Sequence, residues 1–117
     1  ATTYGFTFRG TTSTSQGSVS PFSAPVTNVL TTIVDGAQSG LANQVKARVN
    51  GSLQVLSVGS NGDIVGSMGN YVTYVGTRNG AWPLNGRIYS LIVLGRFATT
   101  QEITDTETWV NGKTNAY

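Results

Sequence analysis

Residues 45–58, VKARVNGSLQVLSV, predict two short strands joined by a tight turn. Apolar side chains at positions 45, 47 and 49 alternate with polar ones at 46, 48 and 50, and Leu41 continues the apolar parity. This period of two is typical of a strand with one buried face. Asn50-Gly51 supplies the residues that a type I′ hairpin turn needs, so residues 53–58 are predicted to form the returning strand.

Further strand patterns lie on both sides of this hairpin. Residues 4–9 alternate, and Tyr4, Phe6 and Phe8 are predicted to point inward. Residues 26–34 are rich in β-forming residues and end at the turn pair Asp35-Gly36. Residues 10–25 are mostly Ser, Thr, Gly and Pro and indicate a long loop or a weak edge strand. Residues 71–76 predict another short strand, and residues 87–94, apolar on both parities, predict a central strand covered on both faces.

One helix is predicted, near the end of the chain. Thr99 is followed three residues later by Glu102, the spacing of a capping box, so the helix is expected to start there. Its predicted inward stripe consists of Ile103, Thr106 or Glu107, and Val110. We expect it to end near Asn111, with Gly112 and Lys113 as the terminating pair.

Composition limits both the fold and the function. The 117 residues, with 15 Gly and only 10% charged residues, predict a single all-β domain over residues 1–117: an antiparallel β-sandwich with one short C-terminal α-helix. A net charge of +2 without clustered bases argues against nucleic acid as a partner, and no apolar run is long enough to insert into a membrane. The absence of Cys and His excludes disulfides and thiolate metal sites and removes the commonest general base.

Three motifs follow one another in the second half of the chain: VNGSL at 49–53, YVGTR at 74–78 and LNGRIYSLIV at 84–93. Their order resembles the C-terminal half of concanavalin A-like lectin/glucanase domains, including the laminin G-like group. The tail, TTQEI at 99–103 through TWVNGKT at 108–114, resembles the ending of such domains in bacteriophage and prophage tail proteins. Together these matches cover residues 45–117.

The resemblance implies a jelly-roll sandwich on a phage tail fibre or tailspike, made in the bacterial cytoplasm and displayed on the virion as a homotrimer. A full domain of this family begins with additional strands, so this chain is either a compact variant or the C-terminal part of a longer one. Glycanases of the family carry a Glu-x-Asp-x-Glu run on one strand. The equivalent strands here contain no acids, so the resemblance does not support hydrolysis.

A glycan site requires an aromatic ring for the apolar face of a sugar and planar amides or guanidinium groups for its hydroxyls. The loop over residues 77–86 and the strand before it contain such groups. The predicted ligand-binding residues are Arg78, Asn79, Trp82, Asn85 and Tyr71. The alternative is that Trp82 fills one end of the sandwich and Arg78 pairs with a helix acid. Trp109 is predicted to dock the helix on the sheet.

The five acids do not form an obvious catalytic pair. Glu102 is explained by capping, Asp105 and Glu107 by the helix dipole and solvation, and Asp35 by its turn. Asp63, in the polar loop Asn61-Gly62-Asp63, is either a Ca²⁺ ligand or a plain turn residue. We therefore expect a protein that is not an enzyme and has no cofactor, unless Asp63 is a ligand of calcium.

The sequence thus predicts a noncatalytic module that binds host-surface glycan as the receptor-binding part of a virion appendage. Its expected partners are bacterial surface polysaccharide and other virion subunits. The first alternative is a structural domain of a fibre or capsid decoration with no sugar site. The second is a fragment of a polysaccharide depolymerase, which the missing carboxylate pair argues against.

Overall fold

Two antiparallel sheets and a C-terminal helix organise the part of the chain that the computed structural model describes, residues 3–11, 14–19, 23, 25–58, 68, 70–77, 80–81 and 83–117. The elements are β1 (Tyr4–Arg9), β2 (Thr14–Val19), β3 (Leu30–Val34), α1 (Leu41–Gln44), β4 (Val45–Val49), β5 (Ser52–Leu53), β6 (Ser57–Val58) and α2 (Thr100–Thr114). The first sheet has the strand order β1-β2-β6 and the second has the order β3-β4-β5. This confirms a β-rich chain with a helix at its end.

In the first sheet, β2 is the central strand. A strand was one of two predictions for residues 10–25, but the expectation of an edge position was wrong, because β2 pairs with β1 on one side and β6 on the other. Glycine explains how so polar a segment fits there. Gly17 lies opposite Phe6, and a Cβ added at Gly17 would come within 2.6 Å of Cε2 of that ring. The Phe6 side chain therefore occupies the space that a larger residue would fill.

In the second sheet, the predicted hairpin is confirmed. The side chains of Val45, Ala47 and Val49 are buried, while Lys46 between them is exposed. Asn50 and Gly51 both have positive φ, 51° and 78°, as a type I′ turn requires.

The returning segment, predicted as one strand over 53–58, is divided between the two sheets. β5 pairs with β4. After three intervening residues, β6 pairs with β2 of the other sheet. The core lies at this crossing. Buried Val19 from the first sheet packs with buried Ala47 and Val49 from the second, and Phe6 and Leu56 pack against this cluster and also against buried Val45.

Two predicted strands are not present. Residues 71–76 and 87–94 are exposed and belong to no strand of the described chain. The expectation that residues 87–94 form the most protected strand was therefore wrong. Their composition favours a strand, but a strand also needs a neighbour for its backbone hydrogen bonds, and no described segment pairs with this one.

The helix begins as predicted and ends later than predicted. Thr99 is the N-cap: its hydroxyl accepts a hydrogen bond from Glu102 N, and the Glu102 carboxylate accepts one from Thr99 N at 2.8 Å. Gly112, expected to stop the helix near Asn111, lies inside it. Asn115 takes the left-handed conformation instead, with a φ of 50°, and its N–H donates to the Asn111 carbonyl at 2.7 Å.

Candidate functional site

Of the predicted ligand-binding residues, Tyr71 and Asn85 are in the described structure, and both are exposed. Arg78, Asn79 and Trp82 lie outside the described residues, as does Asp63 with its predicted calcium site. Their roles therefore remain predictions.

The loop that carries the predicted glycan residues is closed at its base by one backbone and one side-chain hydrogen bond. Leu84 N donates to the Gly76 carbonyl at 2.6 Å, and the Thr77 hydroxyl donates to the Ala81 carbonyl at 3.1 Å. Gly76 has a φ of 74°, a backbone conformation that residues other than glycine rarely adopt. This local closure sets where Asn85 leaves the loop.

Tyr71 is paired within the chain. The guanidinium carbon of Arg9 lies 3.9 Å from the centre of the Tyr71 ring, a close cation–π contact. Arg9 ends β1, so this contact ties residue 71 to the first sheet. One face of the ring is thereby covered by the cation.

A concavity in the described residues lies elsewhere, at the end of the second sheet. It is an open cleft of about 200 Å³. Its lining combines the end of β3, the turn that follows, α1, the start of β4 and an aromatic residue just before α2: Ile33, Asp35, Gln38, Asn43, Gln44, Lys46 and Phe97. The predicted role of Asp35 was in its turn alone, and none of the other lining residues was predicted to bind a ligand.

Asp35 organises the loop that forms one wall of the cleft. Its Oδ1 accepts a hydrogen bond from Ala37 N at 3.0 Å, and its Oδ2 accepts one from Gln38 Nε2 at 2.9 Å. The backbone N–H of Asp35 donates to the Gln44 carbonyl at 2.7 Å, which closes the loop between β3 and β4. The predicted role of Asp35 in the turn is confirmed, and the same turn places its carboxylate at the cleft.

The other cleft residues supply amide groups, an ammonium group and an aromatic ring. Gln44 is buried, and its amide Nε2 donates to the Gln38 carbonyl at 2.8 Å, so this wall is held internally. Asn43 and Lys46 are exposed, and the Phe97 ring is 58% exposed. An aromatic ring beside amides, a carboxylate and an ammonium group is the combination that a sugar site uses. The lining contains one carboxylate, whereas glycoside hydrolysis needs two.

The helix acids have partners that the sequence did not predict. Arg48 Nε donates to Glu107 Oε1 at 2.8 Å and Arg48 Nη2 donates to Glu107 Oε2 at 2.9 Å. The explanation of Glu107 by dipole and solvation was therefore wrong, because its side chain is buried in this ion pair. Burial acts to raise the pKa of Glu107, but hydrogen bonds from Arg48 and Thr31, together with the charge of Arg48, lower it overall.

Glu102 has a second role besides capping. Both of its carboxylate oxygens accept hydrogen bonds from Arg96, at 2.7 and 3.0 Å. These bonds, with the one from the Thr99 backbone, lower the pKa of Glu102 to about 2.

Trp109 does not dock the helix. Its side chain is 57% exposed, and the ammonium group of Lys113 lies 5.9 Å from the ring centre. Trp109 was expected to dock because it lies one position from Val110 in the predicted inward stripe. The buried residue of the helix is instead Glu107, whose carboxylate pairs with Arg48 on the second sheet.

Among the described residues, no group of three or more His, Cys, Asp or Glu could hold a metal ion, and no helix is long and apolar enough to cross a membrane. Compared with protein-family models, with curated proteins and with solved structures, the chain shows no significant match to any of them.

Proposed function

We propose that this chain is a noncatalytic glycan-binding module, built as a concanavalin A-like sandwich on a phage tail fibre or a related virion appendage. Under this proposal the domain is displayed outside the virion and contacts polysaccharide on the host surface. The observation that carries the proposal is the open cleft of about 200 Å³ where the Phe97 ring accompanies Asp35, Gln38, Asn43 and Lys46.

The chemistry of the cleft supports a sugar more than a flat apolar ligand. Each Asp35 oxygen accepts one hydrogen bond within the loop, and a carboxylate oxygen has capacity for a second. The Lys46 ammonium group carries three donors, and the exposed Phe97 ring offers an apolar face. Hydroxyl groups on a sugar ring both donate and accept, so they match this mixed set.

The experiment is a glycan array followed by titration with host-type lipopolysaccharide and capsular fragments, with the ligand mass checked afterwards. Phe97→Ala tests the cleft, and Trp82→Ala tests the loop predicted from sequence. Val55→Ala, at a 94% exposed side chain, is the control. We expect Phe97→Ala to weaken binding about fivefold, because a ring contact of this kind contributes about 1 kcal/mol.

Each outcome is informative. Loss of binding only in Trp82→Ala would assign the glycan to the loop and contradict the cleft as its site. Absence of binding by a folded domain would contradict the glycan function itself. A shortened ligand would indicate a depolymerase.

A second candidate function is structural: a fibre or capsid domain with no sugar site. One observation favours it. Seven of the eleven residues at 84–94 expose large apolar side chains, a surface better suited to a protein subunit than to a sugar.

A further inference from the structure

Asparagine directly followed by glycine recurs along this chain, at 50–51, 61–62, 79–80, 85–86 and 111–112. Because glycine has no side chain, its backbone nitrogen can approach the carboxamide of the preceding asparagine closely. The structure describes both residues of three of these pairs: Asn50-Gly51, Asn85-Gly86 and Asn111-Gly112. The three pairs differ in how the carboxamide is held.

The carboxamide of Asn50 is held at both of its polar atoms. Oδ1 accepts a hydrogen bond from Val29 N at 2.9 Å, and Nδ2 donates one to Asn28 Oδ1 at 2.7 Å. The side chain is also half-buried. Both hydrogen bonds must therefore break before the carboxamide can turn toward Gly51 N.

The carboxamide of Asn111 is held in the same way, by the end of the chain. Its Nδ2 donates to the Tyr117 carbonyl at 2.6 Å, and its Oδ1 accepts from Tyr117 N at 2.9 Å. Gly112 lies inside α2, where each backbone N–H bonds to the carbonyl four residues earlier. Both the carboxamide and the nitrogen that follows it are therefore engaged.

The carboxamide of Asn85 is not held in this way. It makes no hydrogen bond in the part of the chain that the structure describes, and Gly86 N makes no backbone hydrogen bond there. Both residues are exposed and belong to no described helix or strand. Nothing in the described structure therefore opposes the approach of Gly86 N to Cγ of Asn85.

We propose that Asn85 is a site of spontaneous deamidation. Gly86 N gives its proton to hydroxide and attacks Cγ of Asn85, so a bond forms between these two atoms. The bond between Cγ and Nδ2 breaks, and Nδ2 takes a proton from water and leaves as ammonia. Water then opens the cyclic imide at either carbonyl, which leaves an aspartate or an isoaspartate. No atom is oxidised or reduced.

The reaction changes the chemistry of the loop at residue 85. An amide both donates and accepts hydrogen bonds, whereas the carboxylate that replaces it only accepts and carries a negative charge. Asn85 is one of the predicted ligand-binding residues, so the modified and unmodified chains present different groups there. The reaction itself needs only this chain and water, and it is independent of the proposed function.

The test follows deamidation of the folded wild-type chain at mildly alkaline pH by tryptic digestion and tandem mass spectrometry. Cleavage after Lys and Arg places Asn50, Asn85 and Asn111 on separate peptides, and fragmentation separates Asn85 from Asn79 on the same peptide. The exchange of NH₂ for OH raises the mass of the modified residue. Since two hydrogen bonds hold each of the other two carboxamides, we expect Asn85 to react about thirtyfold faster than either.

The same chain unfolded in guanidinium chloride provides the reference rates. Each of the three asparagines follows an aliphatic residue, Val49, Leu84 or Val110, so their intrinsic reactivities should be similar. Dividing each folded-state rate by the unfolded rate of the same residue isolates the effect of the structure. A normalised rate at Asn85 that is no higher than at Asn50 or Asn111 would overturn the proposal.

Gly86→Ala is the matched variant, because the added methyl group hinders the approach of the backbone nitrogen. The structure accommodates it: the φ of Gly86 is not in the left-handed region, and a Cβ would lie 3.7 Å from Leu84 Cγ, an ordinary contact. Circular dichroism checks the fold. We expect slower deamidation at Asn85 and an unchanged rate at Asn111; an unchanged rate at Asn85 would rule out attack by Gly86 N.

Discussion

Replacing Glu107 by Gln would test what holds α2 on the second sheet. The helix has one buried residue, and that residue is Glu107 rather than an apolar side chain. Its carboxylate accepts two hydrogen bonds from Arg48, at 2.8 and 2.9 Å, and Arg48 also donates to the Gly51 carbonyl in the hairpin turn. A single ion pair therefore connects the helix, β4 and the turn.

The size of the effect follows from this burial. The side chain of Glu107 is 4% exposed and that of Arg48 is 21% exposed. Breaking a fully buried pair costs about 3–5 kcal/mol, and the partial access of water to Arg48 reduces this cost. Gln also places an N–H group against one of the guanidinium donors. We expect Glu107→Gln to lower the free energy of unfolding by about 2–3 kcal/mol.

Urea denaturation followed by far-ultraviolet circular dichroism measures this loss. A helix of this length is marginal in water without tertiary contacts, so helical signal should also fall before the sheets unfold. Arg48→Met should behave like Glu107→Gln. Lys46→Met, on the same strand with an exposed side chain, is the matched control and should change stability by less than about 0.5 kcal/mol. A loss of less than about 0.5 kcal/mol in Glu107→Gln would show that the pair does not hold the helix.

Three further results are expected. Because the folded-state pKa of Glu107 is depressed, its contribution is present above the unfolded pKa and lost as pH falls through the folded value; stability should fall in acid, and less steeply in Glu107→Gln. Gly17→Ala should destabilise by about 1–3 kcal/mol, since its Cβ would meet the Phe6 ring, whereas Gly5→Ala, with no atom within 4 Å, should not; equal melting temperatures would contradict this packing. Asn50→Gly should lose about 1 kcal/mol despite its permissive backbone, because Asn50 Oδ1 accepts a backbone hydrogen bond at 2.9 Å, and an unchanged urea midpoint would count against that bond.

Features that depend on residues close in the sequence were predicted correctly. The alternation in β4, the Asn50-Gly51 turn and the Thr99 cap each arise from contacts within a few residues. The helix end is the exception: it was predicted at Gly112, but Asn115 takes the left-handed conformation instead.

Features that depend on distant partners were predicted less well. Glu107 is 59 residues from Arg48, so no local pattern indicated their pairing. The cleft joins a polar loop at residues 35–46 with Phe97, and only the turn at Asp35 was visible in the sequence. The composition of residues 87–94 indicates a strand but does not identify its neighbour.

The division of the returning segment between the two sheets sets an order of folding. Paired residues in β1–β2 are 5–15 positions apart and those in β3–β4 are 11–19 apart, whereas β6 pairs with residues of β2 that are 39–41 positions away. Closing the longer loop costs more chain entropy and is slower. We therefore expect the two hairpins to form first, and the arrival of β6 on β2, which brings Leu56 onto the same buried cluster as Phe6, to be the late step that joins them into one core.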